Sequence, residues 1–221
     1  MDLQACIFDL DGVIVDTAKY HFMAWKRLAD ELMIPFTRED NERLKGVSRT
    51  DSLEIILELG KMKVDRDMKN QYATLKNEWY LNYIKSMTPE ELLPGSLEFI
   101  RELKDDHIKI AIGSASKNTP AILKSLGLDS SFDAVVDGNI VKKAKPDPEV
   151  FTKAAEMLGV KPGGCVVFED AIAGVKSALN AGMTCVGIGS ENILKEAHYV
   201  VSGLDKMNLN KLRKIVKNIR V

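Results

Sequence analysis

Histidine and cysteine are scarce in this chain, three of each among 221 residues, and their scarcity removes several chemistries. Cys6, Cys165 and Cys185 lie far apart with no CxxC pair, which argues against a disulfide framework or a structural zinc site. All three sit in apolar stretches, where a free cysteine behaves as a small buried hydrophobe. A reducing cytoplasm is therefore the expected compartment. Three histidines, with no nucleophile elbow, disfavour a histidine metal site or a serine triad. No apolar run approaches the roughly 18 residues of a membrane span, and the N-terminus runs straight into a strand-like segment with no visible signal peptide. Charge of one sign is missing too. With 31 Lys+Arg against 32 Asp+Glu the formal charge is −1, so neither a nucleic acid nor a membrane is an expected partner. The Gly-x-x-x-x-Gly-Lys-Ser/Thr loop is absent. Gly187-Ile188-Gly189-Ser190-Glu191-Asn192 lacks the third glycine of a dinucleotide fingerprint.

What remains is a globular composition, 45% hydrophobic and 29% charged, long enough for one large domain or one carrying a small second domain. Short apolar runs at Gln4–Phe8, Ile108–Ile112, Phe132–Val136, Cys165–Phe168 and Thr184–Ile188 predict buried strands, with Tyr199–Val201 a short sixth. Amphipathic stretches at 95–104, 120–126, 148–158 and 173–181 alternate with the later strands. The fold class expected is α/β, a doubly wound parallel sheet with helices on both faces. One segment breaks the alternation. Residues 20–32, 38–44, 50–59 and 65–86 read as helices, far more than a crossover needs. The excess predicts an inserted helical cap over 17–88, with 1–16 and 89–221 forming the α/β core.

Ligands of such sheets bind beyond the carboxyl ends of the strands. The first strand delivers Asp9-Leu10-Asp11-Gly12, the second Gly113-Ser114-Ala115-Ser116-Lys117-Asn118, and the fourth Glu169-Asp170. Lys145 is expected to open the helix before the fourth strand. Each group has an ordinary reading as a turn, a helix cap or a solvated charge. Taken together they differ, because several carboxylates at one site repel unless a cation joins them. An all-oxygen ligand set specifies a hard ion, with Mg²⁺ usual beside phosphate. A lysine and a hydroxyl suit phosphate oxygens. That set of roles describes phosphoryl transfer, with one carboxylate as covalent acceptor.

Asp9-Leu10-Asp11-Gly12-Val13-Ile14-Val15-Asp16, Ser114, Lys145 and Glu169-Asp170 resemble the four ordered motifs of the haloacid dehalogenase superfamily, and the likeness spans the whole chain. Thr17, His21, Trp25, the run Leu44-Lys45-Gly46-Val47-Ser48-Arg49, Asp51-Ser52 and Lys76-Asn77 are similar to the cap of its sugar-phosphate mutases. The resemblance implies a Rossmann-like core and a mutase interconverting β-D-glucose 1-phosphate and glucose 6-phosphate through the 1,6-bisphosphate. It makes Asp9 the nucleophile and Asp11 the general acid/base. It gives Mg²⁺ to Asp9, the backbone carbonyl of Asp11, Glu169 and Asp170. Ser114, Ala115, Asn118 and Lys145 would surround the transferring phosphoryl, and Arg49 with Ser116, Lys117 and Asn118 would hold the distal phosphate. Gly46, Val47, Ser52, His21, Trp25 and Lys76 would shape the sugar pocket or the closed cap, with Thr17 at its start. Local readings compete in the cap, since Thr17 suits a helix cap, His21 and Trp25 suit packing, and Lys76 suits solvent. The rivals for the whole chain are a capped Mg²⁺-dependent phosphatase and a non-catalytic phospho-acceptor. A monomer is expected.

Overall fold

Strands with both faces buried in a parallel sheet need no alternation of polar and apolar residues, so they appear as continuous apolar runs. The structure, a computed structural model describing residues 3–44 and 47–219, turns six such runs into strands. They are β1 (Ala5–Phe8), β2 (Lys109–Gly113), β3 (Ala134–Val136), β4 (Cys165–Glu169), β5 (Thr184–Ile188) and β6 (Tyr199–Val201). All pair in parallel, in the order β3-β2-β1-β4-β5-β6, a doubly wound Rossmann-like arrangement. The chain winds outward from β1 through β2 to β3, then returns to the other side of β1 as β4. The switch point therefore lies between β1 and β4.

The chain divides into two compact units, Met1–Asp16 with Thr88–Val221, and Thr17–Met87. The second is all helical among the described residues, with α1 (Ala18–Glu31), α2 (Arg38–Glu42), α3 (Arg49–Leu59) and α4 (Arg66–Ile84). Its buried face comprises Trp25 and Leu28 of α1, Leu53 and Ile56 of α3, and Trp79 and Tyr80 of α4. Side chains stop its helices from fraying. Thr37 and Asp40 form a reciprocal capping box, and Ser48 and Asp65 accept from the third amides of α3 and α4.

In the α/β unit, α5 (Ser96–Asp105), α6 (Thr119–Ser125), α7 (Glu149–Leu158), α8 (Ile172–Asn180) and α9 (Leu209–Ile219) accompany the sheet. Strand parity sends Ala5 and Ile7 into a cluster with Phe151 and Ala154 of α7 and Val175 and Ala178 of α8. On the other face Phe8 stacks on Phe168 at 4.8 Å, with Phe99 of α5 set edge-on to both.

Two expected elements shift, and one was not foreseen. β3 starts at Ala134, because Asp133 bonds Ile110 through both its amide and its carboxylate instead of through a regular ladder. Lys145 does not open a helix. Residues preceding proline avoid the helical region, and with prolines at 146 and 148 the helix begins at Glu149, leaving Lys145 on a loop. The unforeseen element is α9, whose Leu209, Leu212, Ile215 and Val216 are buried at helical spacing.

Candidate active site

Register builds the centre of the site. Phe8 of β1 pairs with Ile112 of β2 and Phe168 of β4, so Asp9, Gly113 and Glu169 emerge side by side at the switch point. Asp9 donates its amide to Phe168 O at 2.9 Å and is 6% exposed. Beyond it the chain turns back at once. Ile14 and Val15 donate to Leu10 O, Gly12 donates to Val15 O, and Gly12 adopts φ +80°, where a Cβ would be strained. That Cβ would also stand 2.1 Å from Asp170 Oδ2, so the turn closes over Asp170 only because residue 12 is glycine.

Asp9, Glu169 and Asp170 each present a carboxylate oxygen within 4.8 Å of the others. Lys145 enters between them, its Nζ 2.5 Å from Asp9 Oδ1 and 2.8 Å from Glu169 Oε2. Three carboxylates against one ammonium leave two negative charges uncompensated if all ionise. The titration behaviour reflects that excess. Burial, then the charge of Lys145 acting downward and of Asp9 acting upward, leaves the Glu169 carboxyl raised to about 7. Asp170 rises to about 8 through burial and the neighbouring Asp9 and Glu169 charges. Burial opposes the charge on Lys145, yet attraction to Asp9 and Glu169 outweighs it and holds the ammonium above its ordinary range. A set of oxygen donors with a surplus of two negative charges fits a hard divalent cation. The Asp11 carboxylate lies outside this cluster.

The Lys145 loop is anchored on two sides. Glu149 accepts from the amides of Lys142 and Lys143 and from Lys153 Nζ, which hold its carboxyl down near 2. From α8, buried Ser177 donates to Asp147 O at 2.7 Å and Asn180 to Pro146 O at 3.1 Å. The same helix carries Gly174, where a Cβ would fall 2.0 Å from the Glu169 carboxyl carbon. Gly174, Ser177 and Glu149 were not singled out from the sequence. A glycine inside the helical pattern at 173–181 was the signal for the first.

After β2, Ser114 is 1% exposed, donates its amide to Val136 O, and accepts at Oγ from the Ser116 amide. Ser116 Oγ in turn accepts from the Asn118 amide. Ala115, Lys117 and Asn118 complete this loop, and Gly138 packs so closely that a Cβ would sit 2.3 Å from Ala115 O.

In the helical unit, Lys76 is 2% exposed rather than solvated. Its Nζ lies 3.0 Å from His21 Nδ1 and 4.5 and 4.8 Å from the Trp25 and Tyr80 ring centroids. An ammonium can only donate, so His21 Nδ1 is the acceptor and its proton sits on Nε2. Burial, with Lys76 and Arg49 adding repulsion, pushes the His21 pKa well below its ordinary value, so the ring is neutral. Tyr80, whose ring lies 4.2 Å from His21, was not among the expected residues. Arg49 takes the first position of α3, Val47 precedes its Ser48 cap, and Ser52 is buried one turn on. Thr17 occupies the cap position of α1 but makes no side-chain cap bond. Gly46 lies outside the described residues.

Elsewhere the thiols are free and buried, which pushes Cys6 well up and Cys165 up to about 11. No helix among the described residues is long and apolar enough to cross a membrane.

Comparison with known proteins gives three concordant findings. Residues 3–182 match the haloacid dehalogenase-like hydrolases. The chain is 43% identical to a Bacillus subtilis protein named β-phosphoglucomutase, over 99% of this chain and 98% of that one. It superposes on a crystal structure of β-phosphoglucomutase from Clostridium difficile with a TM-score of 0.93 and 39% identity, covering 100% and 99% of the two chains. A Thermotoga maritima phosphatase of phosphorylated carbohydrates is 34% identical over 82% of each chain.

Proposed function

Because the chain belongs to the haloacid dehalogenase-like hydrolases, we propose that it is a β-phosphoglucomutase, interconverting β-D-glucose 1-phosphate and glucose 6-phosphate. The observation that carries this reading over a phosphatase is the 43% identity to the Bacillus subtilis mutase across both full lengths. Three free, buried cysteines suit a reducing cytoplasm.

In the proposed reaction the enzyme cycles through an aspartyl-phosphate. Lys145 fixes Oδ1 of Asp9, which leaves Oδ2 to attack the phosphorus of β-glucose 1,6-bisphosphate. The bond to the sugar oxygen breaks as the Asp9–phosphorus bond forms, and Asp11 supplies the proton that the departing oxygen takes up. The next sugar phosphate presents its free hydroxyl, Asp11 recovers a proton from it, and the phosphoryl group passes to that oxygen. Ser114, the amides after it and Lys145 would receive the phosphoryl oxygens. Preorganised donors of this kind commonly contribute about 10²–10³ in rate each. Ser116, Lys117, Asn118 and Arg49 are assigned to the second phosphate.

Asp9, Glu169, Asp170 and the Asp11 backbone carbonyl are the proposed ligands of Mg²⁺. When bound, the ion would offset the surplus negative charge and lower the repulsion between phosphate and Asp9. The helical unit contributes recognition. Neutral His21, tied to Lys76, presents an Nε2–H donor to a sugar oxygen, and the buried Trp25 ring, with Lys76 Nζ over it, holds that lysine in place.

Acceptor choice tests the proposal. With Mg²⁺, β-glucose 1-phosphate and a trace of the bisphosphate, glucose 6-phosphate should form faster than free phosphate. Phosphate release without glucose 6-phosphate would make the protein a phosphatase.

A further inference from the structure

The acidic cluster has two flanks within the α/β unit, and the sheet order makes them chemically different. On the β2 side stands the loop 114–118, with Ser114, Lys117 and, across β1, Lys145 bridging Asp9 and Glu169. On the β5 and β6 side, beyond Ile188 and Val201, lies a cavity of about 400 Å³. Among the described residues its polar side chains are Ser190, Ser202, Asp170 and Asp205, and no lysine, arginine or histidine lines it. Asp170 is thus both a wall of the cavity and a member of the cluster. Gly12 forms part of the same wall, where a Cβ would stand 2.1 Å from Asp170 Oδ2, so only a glycine leaves room for that carboxylate in the wall.

We propose that this cavity is the passage by which a hydrated divalent cation reaches and leaves the carboxylate cluster, separate from the flank that takes phosphate. The inference rests on the reading of Asp9, Glu169 and Asp170 as cation ligands. Size permits it. A divalent ion such as Mg²⁺ keeps several of its six waters, and six at roughly 30 Å³ each fill less than half of the space. Charge favours it as well. An acidic side chain at the mouth of a cleft draws a cation inward, and Asp205 at the rim remains 38% exposed despite its bond to Lys206. The opposite flank, with Lys145 and Lys117, repels a cation and is where an anionic substrate belongs. All of the cavity's lining belongs to the α/β unit, so this route needs nothing of the helical unit.

Stopped-flow mixing of the metal-free, full-length protein with Mn²⁺ gives the association rate. Mixing the loaded protein with a fluorescent chelator gives the release rate, and calorimetry gives Kd. Ser202→Trp, which narrows the mouth, should slow association and release alike by about tenfold while leaving Kd within about twofold. An unchanged Kd also reports an intact site. Asp205→Lys should slow association, with the difference shrinking as salt rises. Wild-type exchange rates in both variants overturn the passage. Absence of Mn²⁺ binding, or binding indifferent to Asp170→Asn, overturns the cation centre itself.

Discussion

Gly174→Ala sets two calculable effects against each other. Alanine is favoured over glycine within a helix by about 0.5–1 kcal/mol, and Gly174 is the third residue of α8. Helix propensity alone therefore predicts a more stable protein. The added methyl, however, would stand 2.0, 2.1 and 2.4 Å from the three carboxyl atoms of Glu169. Ordinary contact requires about 3.5 Å, so the carboxylate or the helix must move by more than 1 Å. Glu169 is 1% exposed and holds Lys145 Nζ at 2.8 Å and the Ala171 amide at 3.1 Å. Removing a partner from a buried charged pair costs about 3–5 kcal/mol, and displacement forfeits part of that. A net destabilisation of about 2 kcal/mol is expected, a fall in Tm of roughly 4–8 °C for a chain of this size. Misplacement by about 1 Å should lower kcat by about 10²-fold. Scanning calorimetry and the acceptor assay measure both. A Tm that rises, with activity within about twofold of wild type, would refute the cradle that Gly174 forms for Glu169.

Lys145→Met removes the ammonium while keeping a long side chain. Asp9 and Glu169 are left facing each other, so the metal-free protein should lose about 3 kcal/mol in urea titration and phosphoryl transfer should fall about 10²–10³-fold. Ser177→Ala leaves the Asp147 carbonyl without its buried donor. A cost of about 1–2 kcal/mol in urea, with a lower kcat because the Lys145 loop loosens, is the expected result. His21 governs a pH effect. The unfolded chain takes up a proton near pH 6.5 that the folded ring refuses, so the stability conferred by neutral His21 is complete above that pH and lost as pH falls below it. The difference in unfolding free energy between wild type and His21→Asn should decline with acid by at most about 1.4 kcal/mol per pH unit, and a flat difference from pH 8 to 5 counts against it.

Much of the fold could be read from residues alone, for physical reasons. A strand buried on both faces must be apolar along its length, which made β1, β2, β4 and β5 visible, and α5, α7 and α8 showed through their helical periodicity. β3 was placed two residues early because an aspartate side chain imitates a strand partner, and no pattern reveals that. Its position before a helical pattern suggests a helix for Lys145, but the prolines at 146 and 148 make it a loop. The α9 residues Leu209, Leu212, Ile215 and Val216 carry a helical spacing as regular as that of α5 and α7. Lys76 illustrates the opposite limit. A lysine on a helix is normally solvated, and only Trp25, Tyr80 and His21 around it explain its burial.

The order of motifs and the chemistry of their side chains were thus fixed by sequence: two aspartates after a strand, a hydroxyl after the next, a lysine, and an acidic pair after another. These follow from residue type and strand periodicity, which are local. Which carboxylates share a cation, which oxygen of Asp9 Lys145 holds, and why residues 12 and 174 are glycines depend on atoms brought within a few ångströms from distant stretches. Such proximity is set by sheet order and helix packing, and only the tertiary structure supplies it.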